Sequence, residues 1–239
     1  METKKRKRRT KNDIEECIIN AATLLIEEKG FQNSTVTAIM QKAKVEPVVF
    51  YNRYNDLNSF MDEFVKKYDY WFSDIAKNIE NISDSRLQYQ SILNTLLDSL
   101  KENKMMQQLL RWEISDNNDT TQRTAKLREF HTLPLVDKYK QLFKNSSVEI
   151  ESVSALIIGG IYYLILHADL SEFAGIDIRS KDGLNKIHRA IEYFSKIFFE
   201  NLSIDSEAIK IAQKLKIRGI NPEIIVECTG LSINLIREL

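Results

Sequence analysis

Residues 36–54 contain two short apolar stripes of helical spacing that are separated by only three residues. The first stripe belongs to a helix predicted to open at Ser34 or Thr35 and to end at Ala43. The second begins at Pro47, whose fixed backbone angle suits the first position of a helix. Two helices with so short a link must turn sharply and bury their facing sides, as in a helix-turn-helix. We call the two helices and the link between them, in residues 36–54, the corner. The residues expected to form its core are Ile39, Val45 and Phe50.

A supporting helix is predicted before the corner. Thr10 can cap it, and Asp13 stands where it completes an acidic variant of the capping box. Apolar residues then recur at helical spacing until Gly30, which provides a C-terminal stop. The predicted helix covers residues 11–29.

The remainder of the chain is also predicted to be helical, so the expected fold class is all-α. Only seven glycines and three prolines occur in 239 residues, and no stretch alternates convincingly with a period of two. Long helices joined by short turns are therefore favoured over a sheet. Amphipathic stretches are predicted at residues 57–81, 86–101, 105–114, 120–143, 149–168 and 184–201, and Pro134 is expected to kink the fourth.

The longest apolar run, Ala155 to Leu166, is interrupted by Gly159 and Gly160. It is shorter than the roughly 18–20 residues that cross a membrane, so it predicts a buried helix and no membrane partner. Each glycine would cost about 1 kcal/mol relative to alanine in an exposed helix, and close packing of backbones is the expected compensation. The chain lacks an apolar secretory segment, and its two distant cysteines are expected to be free buried thiols, which favours a cytoplasmic protein.

The formal net charge is zero, but the charge is unevenly distributed. Residues 1–11 carry seven Lys or Arg against one Glu, so the rest of the chain is net negative by six. Such a segment repels itself too strongly to fold alone, and it is typical either of a solvated tail or of an arm that binds an anion. The basic residues are Lys4, Lys5, Arg6, Lys7, Arg8, Arg9 and Lys11.

The corner and its supporting helix resemble the N-terminal domain of the TetR family of transcriptional regulators. The resemblance covers residues 18–60 and implies a helix-turn-helix domain over residues 12–56. It also implies a larger helical ligand-binding and dimerisation domain over residues 57–203, in a homodimer that binds a double-stranded DNA operator. The matching residues are Ile18, Ala21, Ala22, Leu25, Gly30, Phe31, Thr35, Val36, Ile39, Ala43, Val45, Tyr51 and Tyr54.

The resemblance also implies which residues contact DNA. Four side chains would contact phosphates, while residues 47–49 would face the bases. Residues 47–49 cannot hydrogen-bond base edges, so apolar contact with thymine methyl groups predicts a site rich in A·T pairs. The predicted phosphate contacts are Thr35, Thr37, Tyr51 and Arg53, and the predicted DNA-binding set adds Lys4, Lys5, Arg6, Lys7, Arg8, Arg9, Lys44, Pro47, Val48, Val49 and Asn52.

Four departures from the family pattern bear on the expected DNA contacts. Lys44 stands where a glycine is usual, so it must adopt the turn conformation under strain or extend the basic surface. Val48 replaces a small residue, Val49 stands where a hydroxyl residue is common, and Leu57 replaces a frequent phosphate-binding lysine. The basic N-terminal arm is then expected to follow the DNA backbone or to enter a minor groove.

Aromatic side chains in the predicted second domain are candidates for binding a small apolar or aromatic ligand, although each could instead fill the core or the dimer seam. Two copies of residues 149–168 and 184–201 could form an intersubunit four-helix bundle. The three histidines lack metal-ligand spacing, and no phosphate loop, nucleophile motif or carboxylate pair occurs, so no metal, cofactor or catalytic site is predicted. The candidate pocket residues are Trp112, Phe130, Tyr139, Tyr162, Tyr163 and His167.

Residues 204–239 form a predicted C-terminal appendage that repeats the N-terminal pattern. Gly219 ends a helix as Gly30 does, Pro222 opens the next helix, and Gly230 occupies the turn. Because the appendage has no basic cluster, packing against its own subunit or a partner is favoured over a second DNA contact, which stays open as an alternative.

These features predict a DNA-binding transcriptional regulator, with a dimeric repressor released by a small ligand as the main hypothesis. The alternative is a helical interaction or sensor protein whose helix-turn-helix has lost DNA binding. An enzyme has no specific sequence feature in its favour.

Overall fold

The structure is a computed structural model that describes residues 10–72, 77, 79 and 81–239. Regular secondary structure in these residues is helical, apart from one isolated bridge between Phe173 and Ile176. The predicted all-α class is confirmed. The helices in the described residues are α1 (Lys11–Lys29), α2 (Val36–Ala43), α3 (Pro47–Tyr51), α4 (Leu57–Val65), α5 (Ser85–Glu102), α6 (Lys104–Ser115), α7 (Asp119–Leu142), α8 (Ile150–His167), α9 (Lys181–Ile217), α10 (Pro222–Thr229) and α11 (Ile233–Glu238), with 3₁₀ turns at Phe31–Asn33 and Lys66–Tyr68.

The chain divides into two compact units. The first unit contains Met1–Ile75 and Leu96–His131, so α6 and parts of α5 and α7 join the predicted DNA-binding helices. The second unit contains Ala76–Thr95 and Thr132–Leu239. The predicted functional domain boundaries after residues 11, 56 and 203 stay predictions.

The supporting helix α1 begins and ends where the sequence predicts. Its capping box is reciprocal: the Asp13 N–H donates to Thr10 Oγ1 at 3.1 Å, and the Thr10 N–H donates to Asp13 Oδ2 at 2.8 Å. These bonds satisfy N–H groups that a helix start would otherwise leave unpaired. The fully buried side chains that join α1 to the corner are Ile18, Ala22, Ile26, Ile39 and Phe50.

Aromatic rings extend this core toward α4. Phe50 lies 5.1 Å from Tyr54 and 5.4 Å from Phe60 between ring centroids, and Tyr54 lies 4.8 Å from Phe60. These are the distances at which aromatic pairs stabilise a core beyond their buried area. Phe50 is buried as predicted and Tyr54 is buried beside it, and this burial raises the pKa of the Tyr54 hydroxyl.

Helix α6 packs against α1 and the 3₁₀ turn that follows it. The Trp112 ring is stacked on Phe31 with centroids 4.4 Å apart, and Gln108 Nε2 donates to the Glu27 carbonyl at 3.3 Å. Trp112, a predicted pocket residue, therefore covers the 3₁₀ turn that follows α1. The first unit is thus larger than a minimal helix-turn-helix domain.

Arg123 on α7 joins the same unit by charged hydrogen bonds. Its guanidinium donates to Asp62 Oδ1 and to Asp69 Oδ2, both at 2.7 Å. Partial burial opposes the shift, but the hydrogen bonds and charge of Arg123 keep the pKa of the Asp62 carboxyl below its usual range. The Asp62 contact joins α7 to α4, and the Asp69 contact joins α7 to the end of the 3₁₀ turn that follows α4.

Four structural predictions are wrong. The apolar helix α8, which the sequence predicts to be buried, has only Ile150, Ile161 and Ile165 buried among its 18 residues. The predicted helix over residues 57–81 is interrupted, because α4 ends at Val65 and a 3₁₀ turn follows it. The helix predicted to end at residue 201 continues to Ile217, since no glycine or proline interrupts residues 184–218. Cys228 is a free thiol as expected, but it is exposed, whereas Cys17 is half-buried.

Candidate nucleic-acid interface

Helix α2 is capped at both ends, and its C-terminal cap, Lys44, begins the turn to α3. The Ala38 N–H donates to Thr35 Oγ1 at 3.2 Å, which caps the start of α2. Lys44 ends α2 in the left-handed region, with φ 55° and ψ 48°, as its place in the turn requires. A side chain in this region costs about 1–2 kcal/mol, so the lysine is held there by the rest of the corner. Its ammonium group is consequently carried beside the predicted DNA surface.

Helix α3 presents an apolar surface with one polar hydroxyl. Val48 is 63% exposed and Tyr51 is 59% exposed, whereas Val49 is half-buried and Phe50 is fully buried. Pro47 occupies the first turn and is exposed. The outward-facing residues are therefore suited to methyl contacts with bases and to one phosphate contact from Tyr51.

Arg53 follows α3 and makes a contact that the sequence does not reveal. Its Nη2 donates to the carbonyl oxygen of Lys11 at 2.8 Å, and the side chain is half-buried. The predicted phosphate contact is thus joined to the first residue of α1. The spacing of 42 residues between the two partners explains why local sequence patterns do not predict the bond.

The remaining charges near the corner partly cancel. Lys42 Nζ lies 3.1 Å from Glu28 Oε2, and this hydrogen bond keeps the pKa of the Glu28 carboxyl below its usual range. Glu46 precedes α3 and is exposed without capping that helix by its side chain. Thr37 and Asn52 are both exposed. The basic arm residues Lys4, Lys5, Arg6, Lys7, Arg8 and Arg9 lie outside the described residues.

The predicted ligand-pocket residues belong to different places in the fold. Trp112 and Phe130 lie in the first unit, where Trp112 stacks on Phe31 and Phe130 is exposed. Tyr139 lies in the second unit, buried 5.2 Å from Tyr89 between ring centroids, and burial raises the pKa of its hydroxyl. The prediction grouped these residues by their aromatic chemistry, which does not show to which compact unit each one belongs.

The other three predicted pocket residues lie together on α8. Tyr163 stacks on His167 with centroids 5.0 Å apart, and Tyr162 on the same helix is half-buried. His167 Nδ1 is buried and forms no hydrogen bond with the described residues. Buried polar atoms usually have a hydrogen-bond partner, so this ring nitrogen is the atom of α8 that a bound polar group could satisfy.

Tyr163 also lines an open apolar groove of about 550 Å³ in the second unit. Sequence reasoning did not single out most of its lining, although the double glycine in α8 marked the place. A Cβ added to Gly159 or Gly160 would meet no atom within 4 Å, so the close backbone packing expected at these glycines is not made within the part of this chain that the structure describes. The lining residues are Ala155, Leu156, Gly159, Gly160, Tyr163, Leu164, Phe173, Ala174, Ile176 and Ile187.

Helix α8 has the length and composition of a membrane-crossing helix, and it is the single such helix among the described residues. One helix of this kind is weak evidence for a membrane protein, because apolar helices of soluble proteins meet the same criterion. Among the described residues, no group of three or more His, Cys, Asp or Glu side chains could hold a metal ion.

No protein-family model matches the sequence, and no curated protein matches it either. Solved structures do match. A TetR family transcription regulator from Marinobacter aquaeolei is 18% identical, with a TM-score of 0.52 over 74% of this chain and 94% of that chain. A TetR-like regulator from a Rhodococcus species is 13% identical, with a TM-score of 0.57 over 81% of this chain and 99% of that one.

The transcriptional regulator FadR from Bacillus subtilis, solved in complex with stearoyl-CoA, is also 13% identical and has a TM-score of 0.57. The match covers 76% of this chain and 97% of FadR. At these identities the similarity concerns the fold, and it agrees with the resemblance carried by residues 18–60. The chain has the fold of the TetR-family transcriptional regulators.

Proposed function

We propose that this protein is a cytoplasmic DNA-binding transcriptional regulator, and specifically a dimeric repressor that a small ligand releases from its operator. The observation that carries the proposal is the exposed surface of α3, where Val48 and Tyr51 face solvent beside Lys44. Packing within the chain does not explain why an apolar side chain and a phenol are so exposed on a helix of five residues. They suit a major groove and its phosphates.

The phosphate contacts divide between the two helices of the corner. Thr35 accepts a hydrogen bond from the Ala38 N–H, which leaves its own O–H to donate to a phosphate. Thr37 and Lys44 are exposed at the two ends of α2, and Tyr51 on α3 is the fourth proposed phosphate contact. We expect the N-terminal arm to add the larger electrostatic share, because it carries six of the chain's cations in residues 4–9.

The base contacts are expected to favour thymine methyl groups. Pro47 and Val48 are exposed, while half-buried Val49 contributes less surface than its position in the family pattern suggests. Direct discrimination between base pairs is therefore weak, and Asn52 is the one exposed amide at the end of the helix.

A homodimer would bring two such corners to one operator, and the groove on α8 is the surface that we propose for pairing. Leu156 is 77% exposed, and the open space above Gly159 and Gly160 allows a second backbone to approach closely. Burying this surface would offset the cost of two glycines in a helix. The expected partner is the same groove of a second copy.

The proposed ligand is small and apolar or aromatic, and we place it in the second unit near His167. The unpaired Nδ1 of His167 offers a polar contact beside Tyr162 and Tyr163. FadR, which shares the fold, was solved with stearoyl-CoA, so a fatty acid, whose acyl chain is apolar, is a suitable first compound to test. A ligand there would release DNA by favouring a dimer with a different spacing of its α3 helices.

A salt titration of DNA binding tests the proposal. Duplexes retained from a random pool should bind with a log-log salt slope of roughly −4 to −8, because several phosphates are neutralised per dimer. Deleting residues 2–9 should flatten that slope while leaving the capped start of α1 intact. A slope near zero, or no retained duplex at low salt, would favour the interaction-protein alternative.

Light scattering tests the dimer separately. Leu156→Asp should convert the dimer to a monomer, since it places a carboxylate in the apolar groove. Leu170→Asp is the matched control, because Leu170 is similarly exposed but is not part of the groove lining. Dissociation by both variants, or by neither, would contradict this interface.

A further inference from the structure

Arg53 connects the end of the recognition helix to the point where the N-terminal arm joins the fold. Its Nη2 donates to the Lys11 carbonyl at 2.8 Å, across 42 residues of sequence. Lys11 is the first residue of α1, and residues 1–9 precede it with only Thr10 between. The bond therefore acts on the attachment point of the arm.

The attachment point is fixed from two sides. The reciprocal capping box of Thr10 and Asp13 holds the first turn of α1 from within the helix. Arg53 holds the same turn from the corner. A carbonyl oxygen has two lone pairs, so the Lys11 oxygen can accept from Arg53 without leaving its place in the helix. Loss of either bond would loosen the first turn, and α1 itself would remain.

Tyr51 and Arg53 are consequently different kinds of residue, although both were predicted as phosphate contacts. Tyr51 is 59% exposed, with its ring on the surface of α3. Arg53 is half-buried, and one of its donors is committed to the backbone of α1. Its fork of several donors can hold that carbonyl while lysine, with a single ammonium group on a flexible stem, reproduces the charge but not the geometry.

We propose that Arg53 is a positioning residue, which strengthens DNA binding by fixing where the basic arm leaves the fold and not by a direct phosphate contact. The inference rests on the proposed function. It makes a specific demand: the effect of Arg53 must depend on the presence of the arm. A direct phosphate contact would act equally with and without the arm.

The test compares four chains: the natural chain, Arg53→Lys, the deletion of residues 2–9, and the two changes combined. The probe is a duplex that the natural chain selects from a random pool, titrated over a range of salt concentrations. We expect Arg53→Lys to weaken binding about fivefold in the full chain, as for the loss of one hydrogen bond, and to reduce the salt slope. In the arm-deleted chain the same substitution should change affinity less than about 1.5-fold.

Tyr51→Phe is the matched control, and it should weaken binding by the same factor with and without the arm. Equal losses for Arg53→Lys in both backgrounds, or no loss in the full chain, would overturn the proposal. Equal losses that come with a lower unfolding midpoint would assign Arg53 a structural role instead, which also overturns it. If the natural chain binds no duplex at low salt, the proposed function itself fails, and that outcome is distinct from the others.

Discussion

The two ends of this chain carry the same corner with different surfaces. In the first unit, α2 has eight residues, a left-handed residue follows it, and Ile39 and Phe50 are fully buried eleven positions apart. In the second unit, α10 also has eight residues, Gly230 is left-handed, and Ile225 and Ile236 are fully buried at the same separation. Both turns are three residues long.

The surfaces of the two corners differ in charge. Residues 36–51 contain two lysines and one glutamate, and Arg53 follows closely. Residues 222–238 contain one arginine and three glutamates, and Glu223 takes the place that corresponds to Thr37. An acidic surface repels phosphates, so the C-terminal corner is not suited to DNA. The buried residues alone therefore suffice to form the corner, whereas DNA binding depends on the side chains at its exposed positions.

The largest expected difference between the two corners follows from replacing a fully buried core residue in each by alanine. Phe50→Ala should destabilise the first unit by about 3–5 kcal/mol and abolish DNA binding, because a fully buried ring leaves a cavity among Tyr54 and Phe60. Ile236→Ala is the matched change, expected to cost about 2–5 kcal/mol in the C-terminal corner. That corner has a small core, so we expect local opening there, with DNA binding retained. Urea unfolding, hydrogen exchange and DNA titration measure the three effects, and equal loss of DNA binding in both variants would contradict the distinction.

Exchanging the left-handed residues Lys44 and Gly230 tests how backbone strain and charge contribute in each turn. Gly230 can be replaced without a clash, since a Cβ there meets nothing within 4 Å, so Gly230→Lys should cost only the backbone strain of about 1–2 kcal/mol. Lys44→Gly should stabilise the first corner by up to about 1 kcal/mol and yet weaken DNA binding, because a cation is lost. Thermal unfolding and the salt slope of binding check the pair. An unchanged slope for Lys44→Gly would show that Lys44 faces no phosphate.

The residues that precede α3 and α11 are expected to have a smaller effect on stability. The Leu235 N–H donates to Ser232 Oγ at 3.3 Å at the start of α11, whereas Glu46 makes no such bond at the start of α3. Glu46→Ser should therefore stabilise the first corner by about 0.5–1 kcal/mol. It should also strengthen DNA binding about twofold, since an anion is removed beside the proposed phosphate sites. Denaturant midpoints and binding titrations test this, with Ser232→Ala as the reverse control. A stabilised variant with weaker binding would place Glu46 in a specific base contact.

The local features of the fold were predictable because they follow from neighbouring residues. The Thr10 capping box, the left-handed Lys44 and the start of α3 at Pro47 each depend on chemistry within a few positions. The stacking of Trp112 on Phe31 and the bond from Arg53 to Lys11 were not predictable, since they join distant parts of the sequence. The full length of α9 was not predicted because a polar stretch after residue 201 resembles a break, although it contains neither glycine nor proline.

The groove on α8 was only partly predictable from the sequence. Gly159 and Gly160 indicated the place of the groove, whereas the six residues predicted around one pocket belong partly to the first unit and partly to the second. Residues on different helices share a site only through the tertiary arrangement, which periodicity does not encode. The predicted site residues on α2 and α3 were easier because one short segment carries nearly all of them.

The smallest expected effect is on DNA affinity when the C-terminal corner is removed. The truncation should follow Arg218, because α9 continues to Ile217 and an earlier end would shorten that helix. DNA affinity and its salt slope should change less than about twofold, since α10 and α11 carry more anions than cations and make no expected phosphate contact. Ala212 and Leu215 lose their partners in the truncated chain, so replacing both by Glu guards against aggregation of the exposed helix end. A tenfold loss of affinity in the truncated chain, with its unfolding midpoint unchanged, would make the second corner part of the DNA-binding surface after all.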